Sequence, residues 1–161
     1  MPSGKVHLAL DAAALVVLAS AGAALVVRRA VPVTLAGAFL GGYAFSMIFL
    51  SPDLDLARSH GMQRWGPLAF LWRPYAAWFR HRGLSHHPLW GPLSRLGYLA
   101  LLVVAAFLVA QAALGRQIVR PVEGVAALGL AAVGGAYASN LLHIAADAVG
   151  AWRVRCRRST R

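Results

Sequence analysis

Apolar residues fall along this chain in four long runs, separated by short polar stretches and by one long mixed connection. Residues 8–27 form the first run, about twenty positions, enough for a helix to cross about 30 Å of hydrocarbon. Ser3 is placed to cap its start. Residues 33–50 form the second. Its Gly37 and Gly41 have the small-xxx-small spacing that brings membrane helices together, or are an incidental pair in a Gly-rich chain. Ser51-Pro52 ends this run, because proline brings no backbone N–H to a helix. Residues 93–114 form the third. Pro121 and Glu123 read as the start of the fourth, residues 122–150, with proline in the first turn and an acid near the positive helix end. The pattern predicts an all-α, polytopic membrane helix bundle of about four transmembrane helices. It forms a single domain over 1–161, with a polar, interfacial connection over 51–92 between helices 2 and 3 and a basic tail over 151–161. A cleaved signal peptide, suggested by Lys5 and Ala19-Ser20-Ala21, is opposed by the length of the first run and by Asp11 inside it.

Composition agrees with a membrane. Hydrophobic residues make up 59% of the 161 positions and charged residues 13%, against roughly 45–50% apolar in soluble domains. The mean hydropathy is +0.61. The net charge of +11 sits almost wholly outside the apolar runs, so it points to topology and anionic headgroups rather than to nucleic acid. The single cysteine, Cys156, excludes a disulfide within the chain and nearly excludes thiolate ligation.

Four spans put both termini and the 51–92 connection on one side. That side carries Lys5, Arg58, Arg64, Arg73, Arg80, Arg82, Arg95, Arg153, Arg155, Arg157, Arg158 and Arg161; the other carries Arg28, Arg29, Arg116 and Arg120. The positive-inside rule then predicts an inner (plasma) membrane protein with cytoplasmic termini and a cytoplasmic connection. Trp65, Phe70, Trp72, Tyr75, Trp78, Phe79 and Trp90, mixed with arginines, suit the headgroup layer.

The rare polar groups map to one face. His7 and Asp11 lie at the cytoplasmic start of span one, Asp53 and Asp55 just past span two, His81, His86 and His87 before span three, and His143 and Asp147 at the end of span four. Both His-xxx-Asp pairs are i, i+4 and share a helix face. Asp53 and Asp55, at i, i+2, point to one side of an extended segment. Ionisable groups near a bilayer core are costly and mark function. A lone His-Asp pair is commonly just a satisfied hydrogen bond; four segments converging on one face point to a metal site. The candidate ligands are His7, Asp11, Asp53, Asp55, His81, His86, His143 and Asp147. His60 falls outside the pattern, and His87 is set aside because neighbours rarely ligate one ion.

Ser51-Pro52-Asp53-Leu54-Asp55, Arg64-Trp65-Gly66, Leu71-Trp72-Arg73-Pro74-Tyr75 and His81-Arg82-Gly83-Leu84-Ser85-His86 resemble a family of small bacterial and archaeal membrane proteins of uncharacterised function, predicted to bind metal. That family is similar in pattern to the inner-membrane metal-dependent hydrolases, which share a Pro-Asp-x-Asp, a His-Arg-Gly-x-(Ser/Thr)-His and a later His-xxx-Asp. The resemblance implies metal binding and, by further analogy, hydrolysis. In such families an Asp often follows the first His directly; here Leu8 holds that place and Asp11 lies a turn later.

Imidazole and carboxylate without sulfur suit zinc, manganese or iron, as one or two ions. Arg80 and Arg82 could hold a phosphate. The expected function is a metal-dependent hydrolase of a phosphoester or lipid-like substrate at the cytoplasmic face. Two other readings are a structural or regulatory metal, and a metal transporter. Ser85 reads as a turn residue, and no nucleophile is apparent.

Overall fold

The computed structural model describes residues 4–50, 54, 59–79, 87–114 and 124–159. Ser3, Ser51-Pro52, Pro121 and Glu123, at expected helix ends, lie outside them. Among the described residues the chain is all helical: α1 (Gly4–Val27), α2 (Val33–Phe49), α3 (His60–Arg64), a 3-10 helix (Gly66–Trp72), α4 (Arg73–Trp78), α5 (Trp90–Leu114) and α6 (Val125–Ser159). Three stretches among the described residues are long and apolar enough to cross a membrane: Val6–Val27, Trp90–Leu114 and Val125–Trp152, with mean hydropathies of 2.2, 2.2 and 1.5. α2 is apolar but shorter, at 17 residues, which is about 25 Å of helix.

α6 continues to Ser159, well past the end of its apolar pattern at 150. Arginine is a good helix former, and cations near a helix C-terminus offset the dipole, so the basic stretch prolongs the helix. α5 begins at Trp90, with Gly91 and Pro92 buried in its first turn. Proline is tolerated there because no intrahelical donor is lost.

α2 and α6 pack closest. The contact is made by Gly42 and Gly135. A Cβ on Gly42 would lie 2.6 Å from the carbonyl carbon of Ala132, and one on Gly135 would lie 2.8 Å from that of Phe39. Both obstacles are backbone, so neither can yield. The expected pair, Gly37 and Gly41, makes no such contact: nothing lies within 4 Å of a Cβ at either. The spacing rule finds small residues but does not say which side of α2 meets a neighbour.

The segment between α2 and α5 packs around Leu50, Leu54, Met62, Trp72 and Tyr75. Trp72 and Tyr75 are fully buried, contrary to a headgroup-facing role, while Phe70 and Trp78 are exposed. Trp72 stacks edge-on against Trp65 and Tyr75. This platform also caps α2, whose last carbonyls have no partner within the helix. Arg64 donates to the carbonyl of Ile48 at 3.1 Å and Trp65 Nε1 to that of Phe49 at 2.9 Å.

Candidate metal centre

The site forms where the first turn of α1 meets α6. His7 and His143 are 6% and 9% exposed. Their rings stack with centroids 4.0 Å apart and an interplanar angle of 11°. Asp147 stands between their reactive edges: its Oδ1 is 3.1 Å from His7 Nε2 and its Oδ2 is 3.9 Å from His143 Nε2. His143 and Asp147 meet because i, i+4 residues project from one helix face. His7 joins them only through the packing of α1 on α6.

One ligand atom from each of His7, His143 and Asp147 lies within 4.8 Å of the others. Two ligands of one zinc ion are at most about 4.2 Å apart, twice the bond length, so a small side-chain adjustment suffices. The donor set fits a borderline divalent ion. His7 Nδ1 is buried and has no hydrogen-bond partner among the described residues. Buried polar atoms are rarely left so, and such an atom asks for a water, an ion or another ligand.

Asp11 is not in this group. Its carboxylate accepts a hydrogen bond from the Tyr43 hydroxyl at 3.2 Å, one turn further along α1. Asp53, Asp55, His81 and His86, with Arg80 and Arg82, lie outside the described residues, as does the side chain of His60. His87 is a helix cap: its Nδ1 accepts from the backbone N–H groups of Leu89 and Trp90, both at 3.2 Å, before α5.

Four polar residues given no place in the site by sequence border it or lie next to it. Arg95 donates to Asn140 Oδ1 at 2.6 Å, and Asn140 Nδ2 donates to Ser46 Oγ at 2.7 Å and to the Ala136 carbonyl at 2.9 Å. Ser46 Oγ in turn donates to the Ala136 carbonyl at 3.0 Å. Arg95, Asn140 and Ser46 are fully buried, so this lattice ties α5, α6 and α2 together. Tyr43 adds α1 through Asp11. A cavity of about 10 Å³, lined by Asp11, Ser46, Met47, Leu50, Ser139, Asn140 and His143, lies between the lattice and His143. It has room for at most one water. The signal for these residues was present: Tyr43 and Ser46 interrupt an apolar run at i, i+3, and Asn140, His143 and Asp147 follow the same helical period.

A protein of Aquifex aeolicus (strain VF5), described as "Uncharacterized protein", is 52% identical over 58 residues. The match covers 36% of this chain and 41% of that protein, so the chain spans less than half the length of the relative. No solved structure matches. A family model matches residues 2–157, and the chain therefore belongs to the family described as "Uncharacterized metal-binding protein (DUF2227)".

Proposed function

We propose that this chain is a multi-pass membrane protein that holds a divalent transition metal ion at its cytoplasmic face and hydrolyses a phosphoester there. The observation that carries the reading is the meeting of His7, His143 and Asp147, from opposite ends of the sequence, in one group whose two histidines are buried. The family's metal-binding description supports it. Asp53, Asp55, His81 and His86 would add ligands, enough for a second ion, and Arg80 and Arg82 would hold the anionic substrate. Zinc, manganese and iron(II) all suit the donors.

A bound ion would supply Lewis acidity toward a phosphoryl oxygen. The protein's own part is positioning. The imidazoles of His7 and His143 offer lone pairs only when neutral, and stacking fixes both ring planes. Asp147 holds the two rings in register from one side. Asp11, kept by Tyr43, lies close enough to the cavity beside His143 to orient a water there.

A second reading is a structural ion that ties α1 to α6. The small volume beside His143 favours it, because a phosphoester does not fit in about 10 Å³. A transporter draws less support, since the buried polar side chains among the described residues gather near the start of α1, the end of α2, the start of α5 and the middle of α6, and the rest of the long apolar helices adds none.

The test is detergent-purified protein, wild type and His7→Ala/His143→Ala, taken through elemental analysis and then assayed with manganese or zinc on a panel of phosphoesters. Metal and turnover that both vanish in the variant support hydrolysis. Metal without turnover, with a lower Tm on chelation, supports the structural ion. A wild type that retains no metal overturns both.

A further inference from the structure

We propose that the cleft between α2, α5 and α6 holds one acyl chain of an anionic phospholipid, taken from the leaflet on the side of the metal centre. This rests on reading the helices as membrane spans, and it stands apart from the chemistry of the metal centre.

The cleft has a volume of about 450 Å³ and an apolar wall that includes Ala38, Gly41, Phe45, Leu96, Leu99 and Val133. That volume lies within the range of ligand sites, about 300–1,000 Å³. It exists because α5 is anchored by its first turns, where Gly91, Pro92 and Arg95 are buried, while Val103 and Leu108 further along are exposed. Gly41 supports the same reading. It touches no neighbouring helix, with nothing within 4 Å of its Cβ position, so its missing side chain widens the wall.

Length and charge select the occupant. From Ala38 to Phe49, α2 rises about 17 Å, close to the about 15 Å of hydrocarbon in one leaflet. A chain from a single leaflet fills that length. At the polar end, Leu50 lines both this cleft and the small cavity beside His143. The exposed guanidinium of Arg64 lies at the same end, against the carbonyl of Ile48. Arginine suits a phosphate by shape and charge. An apolar slot with an exposed cation at the same end of α2 matches an anionic amphiphile.

The experiment uses the full chain in nanodiscs of mixed dioleoyl phosphatidylglycerol and phosphatidylcholine, with native mass spectrometry of the lipid retained on release. Wild type is expected to keep one phosphatidylglycerol per chain. Gly41→Leu and Val133→Trp, which fill the cleft, should lose it. Arg64→Gln should keep a lipid but lose the preference for phosphatidylglycerol. The space around Gly41 lets its variant fold, and Tm checks this for both. Equal retention in wild type and both filled variants overturns the proposal. So does a wild-type dimer that Gly41→Leu dissolves, because a second copy would then be the occupant. Metal content read on the same samples separates this outcome from failure of the metal reading.

Discussion

Single residues carry two separable jobs in this chain, one for packing and one for the candidate centre. Gly42 and Gly135 meet backbone, so Gly42→Ala and Gly135→Ala should each lower stability by about 1–3 kcal/mol through overpacking. Gly37→Ala and Gly41→Ala should leave Tm nearly unchanged. Thermal unfolding in detergent checks both pairs, and equal effects at Gly41 and Gly42 would contradict the packing described. At the centre, Tyr43→Phe removes the hydroxyl that donates to Asp11 and should cost about 1–3 kcal/mol for a buried acceptor left without its donor. Metal content should persist, because Asp11 stands outside the His7, His143 and Asp147 group. Pattern reading reached those three residues through i, i+4 spacing and through the cost of charge in an apolar run. It could not separate Asp11 from them, because Asp11 and His7 share a face and only the position of Tyr43 on α2 decides which partner Asp11 meets.

At the scale of elements, the buried lattice of Arg95, Asn140 and Ser46 holds α5 to α6 and α2. A buried charge is costly once its partner is gone, so truncating one side harms more than truncating both. Arg95→Met and Asn140→Leu should each destabilise the protein, and the double variant should lose less than their sum, with a coupling of about 0.5–3 kcal/mol. Strict additivity would mean that the hydrogen bond contributes nothing. Arg95 had an obvious sequence reading, as one more positive charge on the cytoplasmic side. Its burial against Asn140 depends on the start of α5 approaching the middle of α6, and no local pattern encodes that. The aromatic connection is similar. Composition placed Trp72 and Tyr75 at the lipid headgroups, but the 3-10 turn and α4 rotate them inward, where their rings pack on one another.

For the whole molecule, the proposed orientation is open to a direct test. Cys156 is exposed near the end of α6. A membrane-impermeant maleimide should label it in inverted inner-membrane vesicles and not in intact spheroplasts. Labelling in spheroplasts would reverse the topology. If the ion ties α1 to α6, its removal should lower Tm. At a free metal concentration of one hundred times Kd, the linkage contributes about 2.7 kcal/mol, and His143→Ala should abolish the dependence on metal.

Helix content, the long apolar segments and the pairing of His143 with Asp147 follow from the order of residues alone. They depend on local periodicity and on the length of chain needed to cross hydrocarbon. Tertiary structure alone decided that His7 stacks on His143, that Gly42 rather than Gly41 meets α6, and that Arg95 turns inward to Asn140. These depend on which sides of separate helices face each other. That choice is made by the summed packing of the bundle, and a periodic pattern in any one segment does not contain it.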